Sequence, residues 1–269
     1  MGILKDAWEG AKKVGKSVVS GAKSVGKAVV SGAKAVGKTL VRTASPVAGA
    51  IMDNAGELWS GTIEKLQGAK SVKTMSSEAK TMARLSNEAY NHPSKRQDLD
   101  GYVLDKELSG KRHAVYHHKD KNKSVIAFRG TVVSDMDDLH ADTAITTGQQ
   151  RNHHRFKEAE QIHDQVKNKY QGATIKATGH SLGGALAQHT SRVKGVEAEV
   201  FNAGIGANVG LAKDTTSCKV GKKSGYCDKV IRHHISGDPI SAGGQLAYGK
   251  NHTYHTKGLD SHSLENFLD

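Results

Sequence analysis

The sequence predicts an α/β domain with a mainly parallel sheet, preceded by a separate basic segment. Over residues 75–269, short apolar stretches alternate with longer amphipathic ones, and alternating strands and helices are typical of a parallel sheet with helices packed on it. Residues 1–44 instead repeat an 11-residue unit rich in lysine. Residues 45–74 have a mixed composition and are expected to link the two parts, with one short helix around residues 57–67.

The composition excludes several classes of protein. Of the 269 residues, 36% are hydrophobic and only 5% aromatic, so the core is expected to consist mostly of Val, Ile, Leu and Ala. No stretch approaches the roughly 18 consecutive apolar residues of a membrane span, and residues 1–45 lack the apolar run of a secretory signal. The 39 basic and 27 acidic residues give a net charge of +12, which points to an anionic partner. Any membrane association is therefore expected to be peripheral.

Apolar periodicity and turn residues predict the elements of the α/β domain in order. The first helix is expected to end before His92 and Pro93, because the residue before a proline disfavours the helical conformation. Helices are predicted at 76–91, 151–170 and 182–194, with a last short one around 264–268. Strands are predicted at 102–104, 114–117, 124–128, 173–178, 198–202 and 229–234.

The lysine-rich segment segregates its residues at helical spacing. Residues 1–44 hold nine basic and two acidic residues, a net charge of +7, and three copies of the repeat occupy 12–22, 23–33 and 34–44. Because 11 residues make three helical turns plus about 20°, each copy would present nearly the same face as the last. The apolar stripe includes Val14, Val18, Val25, Val29, Val36 and Leu40, and the opposite stripe includes Lys12, Lys16, Lys23, Lys27, Lys34 and Lys38.

This segregation predicts a helix that lies in a membrane interface. The segment resembles the cationic amphipathic membrane-active peptides of the dermaseptin and cecropin kind. Its repeated glycines each cost about 1 kcal/mol of helix stability relative to alanine, so we expect the helix to form only on a surface. A disordered basic tail that binds nucleic acid is the alternative. Nucleic acid is disfavoured because such a tail has no need to separate valine from lysine.

The strongest motif follows the predicted strand 173–178. Residues 179–184 read Gly-His-Ser-Leu-Gly-Gly and lead into the predicted helix 182–194. In a G-x-S-x-G motif between a strand and a helix, the glycines permit a tight turn that lifts the serine hydroxyl above the sheet edge, and N–H groups of the helix face a developing oxyanion. A glycine-rich turn with a capping serine is the alternative. The setting favours Ser181 as a catalytic nucleophile.

A serine hydrolase of this design takes its acid and its histidine from later in the chain. Asp238 follows the predicted strand 229–234 and is the candidate acid, although an ordinary Asp-Pro turn would also place an aspartate there. His262 precedes the last short helix and is the favoured base. His252 and His255 remain alternatives.

The other histidines and the cysteines support no metal site and no cofactor. The paired histidines are expected at the surface or in loops: His117 and His118, His153 and His154, His233 and His234. Protonation of the 15 histidines would raise the charge from +12 towards +27 as the pH falls below about 6, which predicts acid-enhanced membrane binding. For Cys218 and Cys227, a disulfide and two free thiols both remain open.

Three motifs together resemble the class 3 (fungal-type) triacylglycerol lipase family of the α/β-hydrolase fold. They are Val-Ile-Ala-Phe-Arg-Gly-Thr at 125–131, Gly-His-Ser-Leu-Gly-Gly, and Ser-Gly-Asp-Pro-Ile-Ser at 236–241, and the likeness covers about 75–269. The resemblance implies an oxyanion hole formed by Thr131 and the N–H of Leu182. Residues 132–150 match the region of the interfacial lid without the tryptophan of the family, and Lys176 stands where the family prefers an apolar residue.

Together these features predict a serine lipid esterase, a lipase or phospholipase, whose basic tail binds an anionic membrane. A charged bilayer suits the tail better than a neutral droplet, so phospholipid is the favoured substrate. A lipid esterase joined to a membrane-binding tail suits membrane breach by a virus particle or by a secreted effector. The alternatives are a non-catalytic membrane-perturbing protein with a remnant hydrolase domain and a basic nucleic-acid-binding protein.

Overall fold

A computed structural model of the chain describes residues 69–131, 153–204, 228–238, 240–241 and 249–268. The lysine-rich repeat, nearly all of the linker, the region matched to the lid and both cysteines lie outside these residues. Among the described helices, none is both long and apolar enough to cross a bilayer.

The described part of the chain contains three α-helices and seven β-strands. The helices are α1 (Ser77–Glu88), α2 (His154–Lys169) and α3 (Leu182–Lys194). The strands are β1 (Val103–Leu104), β2 (His113–His118), β3 (Lys123–Phe128), β4 (Thr174–His180), β5 (Glu197–Phe201), β6 (Val230–Ile235) and β7 (Lys250–Tyr254). Short 3-10 helices occupy Val72–Thr74, Pro93–Lys95 and Leu264–Phe267, so the predicted last helix is a single 3-10 turn.

All seven strands belong to one sheet, in the order β1 to β7. The first three strands pair antiparallel, and β3 to β7 pair parallel. The register sets Phe128 beside Gly179 and His180 beside Phe201, so the carboxyl ends of β3, β4 and β5 meet at one edge. The predicted mainly parallel sheet is confirmed.

Apolar side chains cover both faces of the sheet. On one face, Phe156 of α2 and Leu186 of α3 belong to one core. The other core contains Met82 and Leu85 of α1 together with Phe267. Because both faces are covered, the central strands carry apolar side chains in both directions, as parallel strands usually do.

Residues just before 75 also pack on the α/β domain. The side chain of Ser76 accepts a hydrogen bond from the N–H of Ala79 at 3.1 Å, which caps α1 as the sequence predicts. Upstream of that cap, Lys70 forms a parallel bridge with Tyr254, and Val72 is buried in the core beneath α1. The described part of the domain thus extends at least to Lys70.

The sequence does not predict β7, whose residues read Lys-Asn-His-Thr-Tyr. This stretch has no apolar alternation, which is the signal for a strand. The strand forms because β6 offers it a partner, with His233 beside His252 and Ile235 beside Tyr254.

The prediction that the paired histidines lie at the surface or in loops is wrong for two of the three pairs. His118 belongs to β2 and is buried, and His233 and His234 are both buried in β6. Successive side chains of a strand point to opposite faces, so two neighbours can be buried only where both faces are covered. The third pair lies at the start of α2, where the side chain of His153 caps the helix.

Candidate active site

Ser181 lies in the sharp turn between β4 and α3. Its φ is +57°, a conformation that a residue with a side chain seldom adopts and that costs on the order of 1–3 kcal/mol. Although Ser181 precedes the first helical residue, its side chain makes no capping hydrogen bond to α3. The alternative interpretation of a capping serine is therefore wrong, and the hydroxyl is available for other partners.

The glycines of the motif allow the turn because backbone segments approach one another too closely for a side chain. A Cβ atom at Gly183 would lie 2.1 Å from the carbonyl oxygen of Phe128. A Cβ atom at Gly179 would lie 2.3 Å from the carbonyl carbon of Gly183, and one at Gly184 would lie 2.5 Å from the Cβ of Ala203. Close packing of β3, β4 and α3 thus requires glycine at these positions.

The structure brings Ser181, His262 and Asp238 together. Oγ of Ser181 lies 2.9 Å from Nε2 of His262, and Nδ1 of His262 lies 2.9 Å from Oδ1 of Asp238. An ionised carboxylate only accepts hydrogen bonds, so Nδ1 carries the proton and Nε2 presents its lone pair to the serine hydroxyl. These distances are within the range at which a histidine can take a proton from a serine nucleophile.

Asp238 is held in the turn after β6. Its side chain is fully buried; Oδ1 accepts from the N–H of Ile240 at 3.2 Å, and Oδ2 accepts from the N–H of Ser241 at 3.1 Å. Its own N–H donates to the carbonyl of Ile235 at 3.1 Å. The turn therefore fixes the direction of the carboxylate. Asp238 is thus both a residue of the turn after β6 and the carboxylate that contacts His262.

Two side chains at the ends of neighbouring strands hold the segment that carries His262. His180, at the end of β4, has its Nε2 2.6 Å from the carbonyl oxygen of His262. Asn202, just after β5, donates from Nδ2 to the carbonyl oxygen of Ser261 at 2.8 Å and accepts from the N–H of Ile235 at 2.8 Å. Two consecutive carbonyls of this segment are thus anchored to the edge that carries Ser181.

The two alternative histidines lie elsewhere. His252 is part of β7, and its ring stacks on that of His233 with centroids 5.4 Å apart. Burial and the neighbouring His233 lower the pKa of His252. His255 follows β7 and donates its backbone N–H to the carbonyl of Lys70. Of the three candidates, His262 is the one that reaches Ser181.

Thr131 and Leu182 lie at the same edge as Ser181. Leu182 is the first residue of α3, so its N–H belongs to the first turn, whose amides have no acceptor inside the helix. Thr131 follows Phe128 by three residues, and Phe128 pairs with Gly179 of β4. Their role as oxyanion donors stays a prediction.

The sequence did not indicate the supporting roles of His180 and Asn202. His180 occupies the variable position of the G-x-S-x-G motif, and Asn202 ends a predicted strand. A histidine directly before the nucleophile was the available signal. Within the described residues, no group of three or more His, Cys, Asp or Glu side chains is placed to hold a metal ion.

A mainly parallel sheet with a serine in a strained strand-to-helix turn defines the chain as an α/β-hydrolase. Residues 81–258 match the family model described as a Tle-like phospholipase domain, under the name Phospholipase-like. Because this match spans more than half of the 269 residues, the chain belongs to that family. It is a lipid ester hydrolase of the lipase and phospholipase type, and the predicted likeness to lipases of the α/β-hydrolase fold is confirmed.

Several solved structures are similar to this chain at low identity. The Lip2 lipase from Yarrowia lipolytica is 18% identical with a TM-score of 0.38, over 57% of this chain and 70% of its own. A triacylglycerol lipase from Penicillium expansum is 16% identical with a TM-score of 0.41, over 72% and 84%. The Rhizomucor miehei lipase, in a propeptide complex, is 14% identical with a TM-score of 0.42, over 71% and 75%. No curated protein matches the chain significantly.

Proposed function

We propose that this protein is a serine phospholipase that cleaves acyl esters at an anionic membrane surface, with Ser181 as nucleophile, His262 as general base and Asp238 as the residue that orients the histidine. The single observation that carries the proposal is the pair of 2.9 Å hydrogen bonds that joins these three side chains. The strained backbone at Ser181 adds support, because such strain concentrates at functional sites.

The reaction proceeds in two acyl-transfer steps. Nε2 of His262 takes the proton of Ser181 as Oγ attacks the ester carbonyl, and the imidazolium then gives that proton to the departing alcohol. Water, deprotonated by the same nitrogen, then attacks the acyl group; the bond to Oγ of Ser181 breaks, the imidazolium returns its proton to that oxygen, and the fatty acid is released. The buried Asp238 holds the Nδ1–H throughout and stabilises the imidazolium.

Thr131 and Leu182 are proposed to stabilise the negative charge that develops on the carbonyl oxygen. The N–H of Leu182 is directed from the start of α3, where the helix dipole also favours negative charge. Each donor of this kind is worth about 3 kcal/mol in comparable sites.

The basic segment 1–44 is proposed to hold the enzyme on the bilayer. Its net charge of +7 and its separated valine and lysine stripes support attraction to anionic headgroups and insertion of the apolar stripe. Phospholipid is therefore the proposed substrate in preference to neutral acylglycerol. Membrane breach by a virus particle or a secreted effector would use membrane binding by this segment together with hydrolysis of phospholipid by the domain.

The proposal is tested by fatty-acid release from two substrates, using the wild type and Ser181→Ala. We expect release from phosphatidylglycerol vesicles by the wild type, none by the variant, and slower release from a triacylglycerol emulsion. Faster cleavage of the emulsion would reject the preference for phospholipid. Leakage of vesicles without release of fatty acid by either protein would assign the function to the basic segment alone.

The role of the basic segment is tested in the full chain by replacing six lysines with glutamine: Lys12, Lys16, Lys23, Lys27, Lys34 and Lys38. Hydrolysis of anionic vesicles should fall by at least 10-fold, because each lysine near such a surface contributes about 1 kcal/mol. Hydrolysis of a water-soluble short-chain ester serves as the control and should not change. Equal loss on both substrates, or no loss on vesicles, would reject the role.

A further inference from the structure

A chain of hydrogen bonds runs from Tyr90 to the backbone of His262. Oη of Tyr90 lies 3.1 Å from Nδ1 of His180, and Nε2 of His180 lies 2.6 Å from the carbonyl oxygen of His262. The rings of the two histidines lie 4.8 Å apart between centroids. His180 directly precedes Ser181 along the backbone. Its buried side chain therefore links the residue next to the proposed nucleophile with the backbone of the proposed base, His262.

The geometry fixes the tautomer of His180. A carbonyl oxygen has no proton to donate, so the 2.6 Å contact requires a proton on Nε2 of His180. A neutral ring then has a lone pair on Nδ1, and Tyr90 must donate its hydroxyl proton to it. Burial, and next the proximity of His262, lowers the pKa of His180 to about 3, which keeps the ring neutral at neutral pH.

The backbone makes room for Tyr90 at a glycine. A Cβ atom at Gly130 would lie 2.1 Å from Oη of Tyr90 and 2.7 Å from the carbonyl oxygen of His180. Any side chain at Gly130 would therefore displace the tyrosine or the turn that carries Ser181. This packing gives a local reason for glycine between Arg129 and Thr131.

We propose that His180 and Tyr90 are positioning residues that hold the His262 imidazole beside Ser181: the Nε2–H of His180 anchors the carbonyl of His262, and Tyr90 fixes the His180 ring by donating to its Nδ1. Neither side chain touches the reacting atoms. Loss of the Tyr90 hydroxyl leaves Nδ1 of His180 without its donor, so the ring is then held by the contact with the carbonyl of His262. The ring reorients more freely, and the segment that carries His262 is held less firmly beside the serine.

This inference rests on the proposed triad, and its failure can be told apart from failure of that triad. If the wild type and Ser181→Ala hydrolyse ester equally, the proposed function fails. If only the wild type hydrolyses ester, variants of Tyr90 and His180 test the inference itself. Tyr170→Phe is the matched control, because Oη of Tyr170 donates to Asp105 at 2.8 Å in a separate part of the domain.

The first measurement is steady-state hydrolysis of a water-soluble ester by the full chain. Tyr90→Phe should lower kcat by about 10-fold with little change in KM, since one hydrogen bond that orients the base is lost and no substrate contact changes. Tyr170→Phe should leave both constants within about twofold. Equal kcat values for the two phenylalanine variants would overturn the proposal.

Substitutions at His180 separate positioning from general stability. Gln can place an amide N–H near the Nε2 position, whereas Leu keeps much of the volume without a donor. We expect His180→Leu to lower kcat by on the order of 10–100-fold and His180→Gln to recover most of that loss. Thermal unfolding reports whether each variant folds. A similar loss of kcat in His180→Leu and His180→Gln, at similar Tm, would contradict the proposed role.

The tautomer can also be measured without any substrate. Long-range ¹H–¹⁵N spectra of histidine-labelled protein should show His180 neutral with its proton on Nε2 at pH 7, and the Nδ1 resonance should shift in Tyr90→Phe because its lone pair loses the hydrogen bond from the tyrosine. A proton on Nδ1 in the wild type, or an unchanged Nδ1 resonance in Tyr90→Phe, would overturn the proposal even if the protein proved inactive on every ester.

Discussion

Nζ of Lys176 lies 2.7 Å from Oε2 of Glu199, and both side chains are buried within the sheet. Lys176 stands in β4, where related lipases were expected to carry an apolar residue. The charge of Lys176 is tolerated because two carboxylates surround it: Glu199, and Glu78 of α1 at 2.9 Å. Glu199 has a second partner of its own, since Nε2 of His233 lies 2.9 Å from it. Buried ions of this kind are stable only with such partners.

Removing one member of this buried network should destabilise the domain. Glu199→Gln leaves the ammonium of Lys176 buried with less compensation, and the free energy of unfolding should fall by about 3–5 kcal/mol. Glu197→Gln is the matched control on the same strand, because its side chain is 57% exposed and lies 4.0 Å from Lys176. That control should cost less than about 1 kcal/mol. Urea unfolding measures both, and equal losses would reject the account.

Acid should weaken the same network. Hydrogen bonds from Lys123 and from Lys176 lower the pKa of Glu78 from 4.5 to about 2. The unfolded chain therefore binds a proton near pH 4.5 that the folded protein does not take up until about pH 2, so this contribution is present above pH 4.5 and lost as the pH falls towards 2. Glu78→Gln should flatten the pH dependence of unfolding in this window. An unchanged slope would contradict the shift.

The charge gained on acidification should be smaller than the histidine count suggests. Burial lowers the pKa of both His180 and His234 to about 3, and it also lowers the pKa of His113, His117 and His252. The charge of +27 is therefore not reached near pH 5. NMR titration of the histidine ring protons should show His180 and His234 neutral at pH 5. Midpoints near 6.5 for these two residues would contradict the burial argument.

The same lowered values predict a loss of stability below about pH 6.5. The unfolded chain binds protons at these histidines near 6.5, whereas the folded protein binds them only at lower pH, so the free energy of unfolding falls as the pH decreases from 6.5. Denaturant titrations at pH 7.5, 6.5 and 5.5 check the direction. Constant or rising stability over this range would show that other groups outweigh the histidines.

The nucleophile turn was predictable because its signal is local. Six consecutive residues, 179–184, span the end of β4 and the start of α3, and a Cβ atom at Gly179 or Gly183 would lie within 3 Å of backbone atoms. The order of Ser181, Asp238 and His262 along the chain then limited the choice of partners. The sheet was predictable for a similar reason, since apolar runs mark the central strands.

Other features depend on contacts between distant parts of the chain. Tyr90, two residues after α1, reaches His180 across 90 residues, and no periodicity of the sequence marks that contact. Likewise β7 is polar and exists because β6 pairs with it. The paired histidines of β6 are both buried because the strand is covered on both faces, and the absence of metal-site partners in the sequence does not indicate that burial.

Packing at the nucleophile turn predicts a sharp contrast between two glycines. Gly183→Ala should unfold the turn or the domain, because its Cβ would lie 2.1 Å from the carbonyl oxygen of Phe128. Gly204→Ala should be tolerated, since the nearest atom to its Cβ would be 3.8 Å away, on Ile240. Thermal unfolding and ester hydrolysis compare the two variants. A stable, active Gly183→Ala protein would contradict the described packing.

The aspartate of the proposed triad should affect kcat far more than folding. Asp238→Asn keeps the shape of the turn and replaces the acceptor that holds the Nδ1–H of His262, so kcat should fall on the order of 10⁴-fold, as at comparable triads. Circular dichroism and substrate binding to the variant serve as controls. A loss below about 10-fold would argue that another residue orients His262.

The most direct test of the account is covalent labelling of the nucleophile with a fluorophosphonate, followed by mass spectrometry and a hydrolysis assay on the same sample. One label per chain on Ser181, loss of hydrolysis in proportion to labelling, and much slower labelling in Asp238→Asn are the predicted results. Hydrolysis that persists in fully labelled protein, or a label that forms at the same rate on another residue in Ser181→Ala, would show that the serine and its two partners do not form the active site.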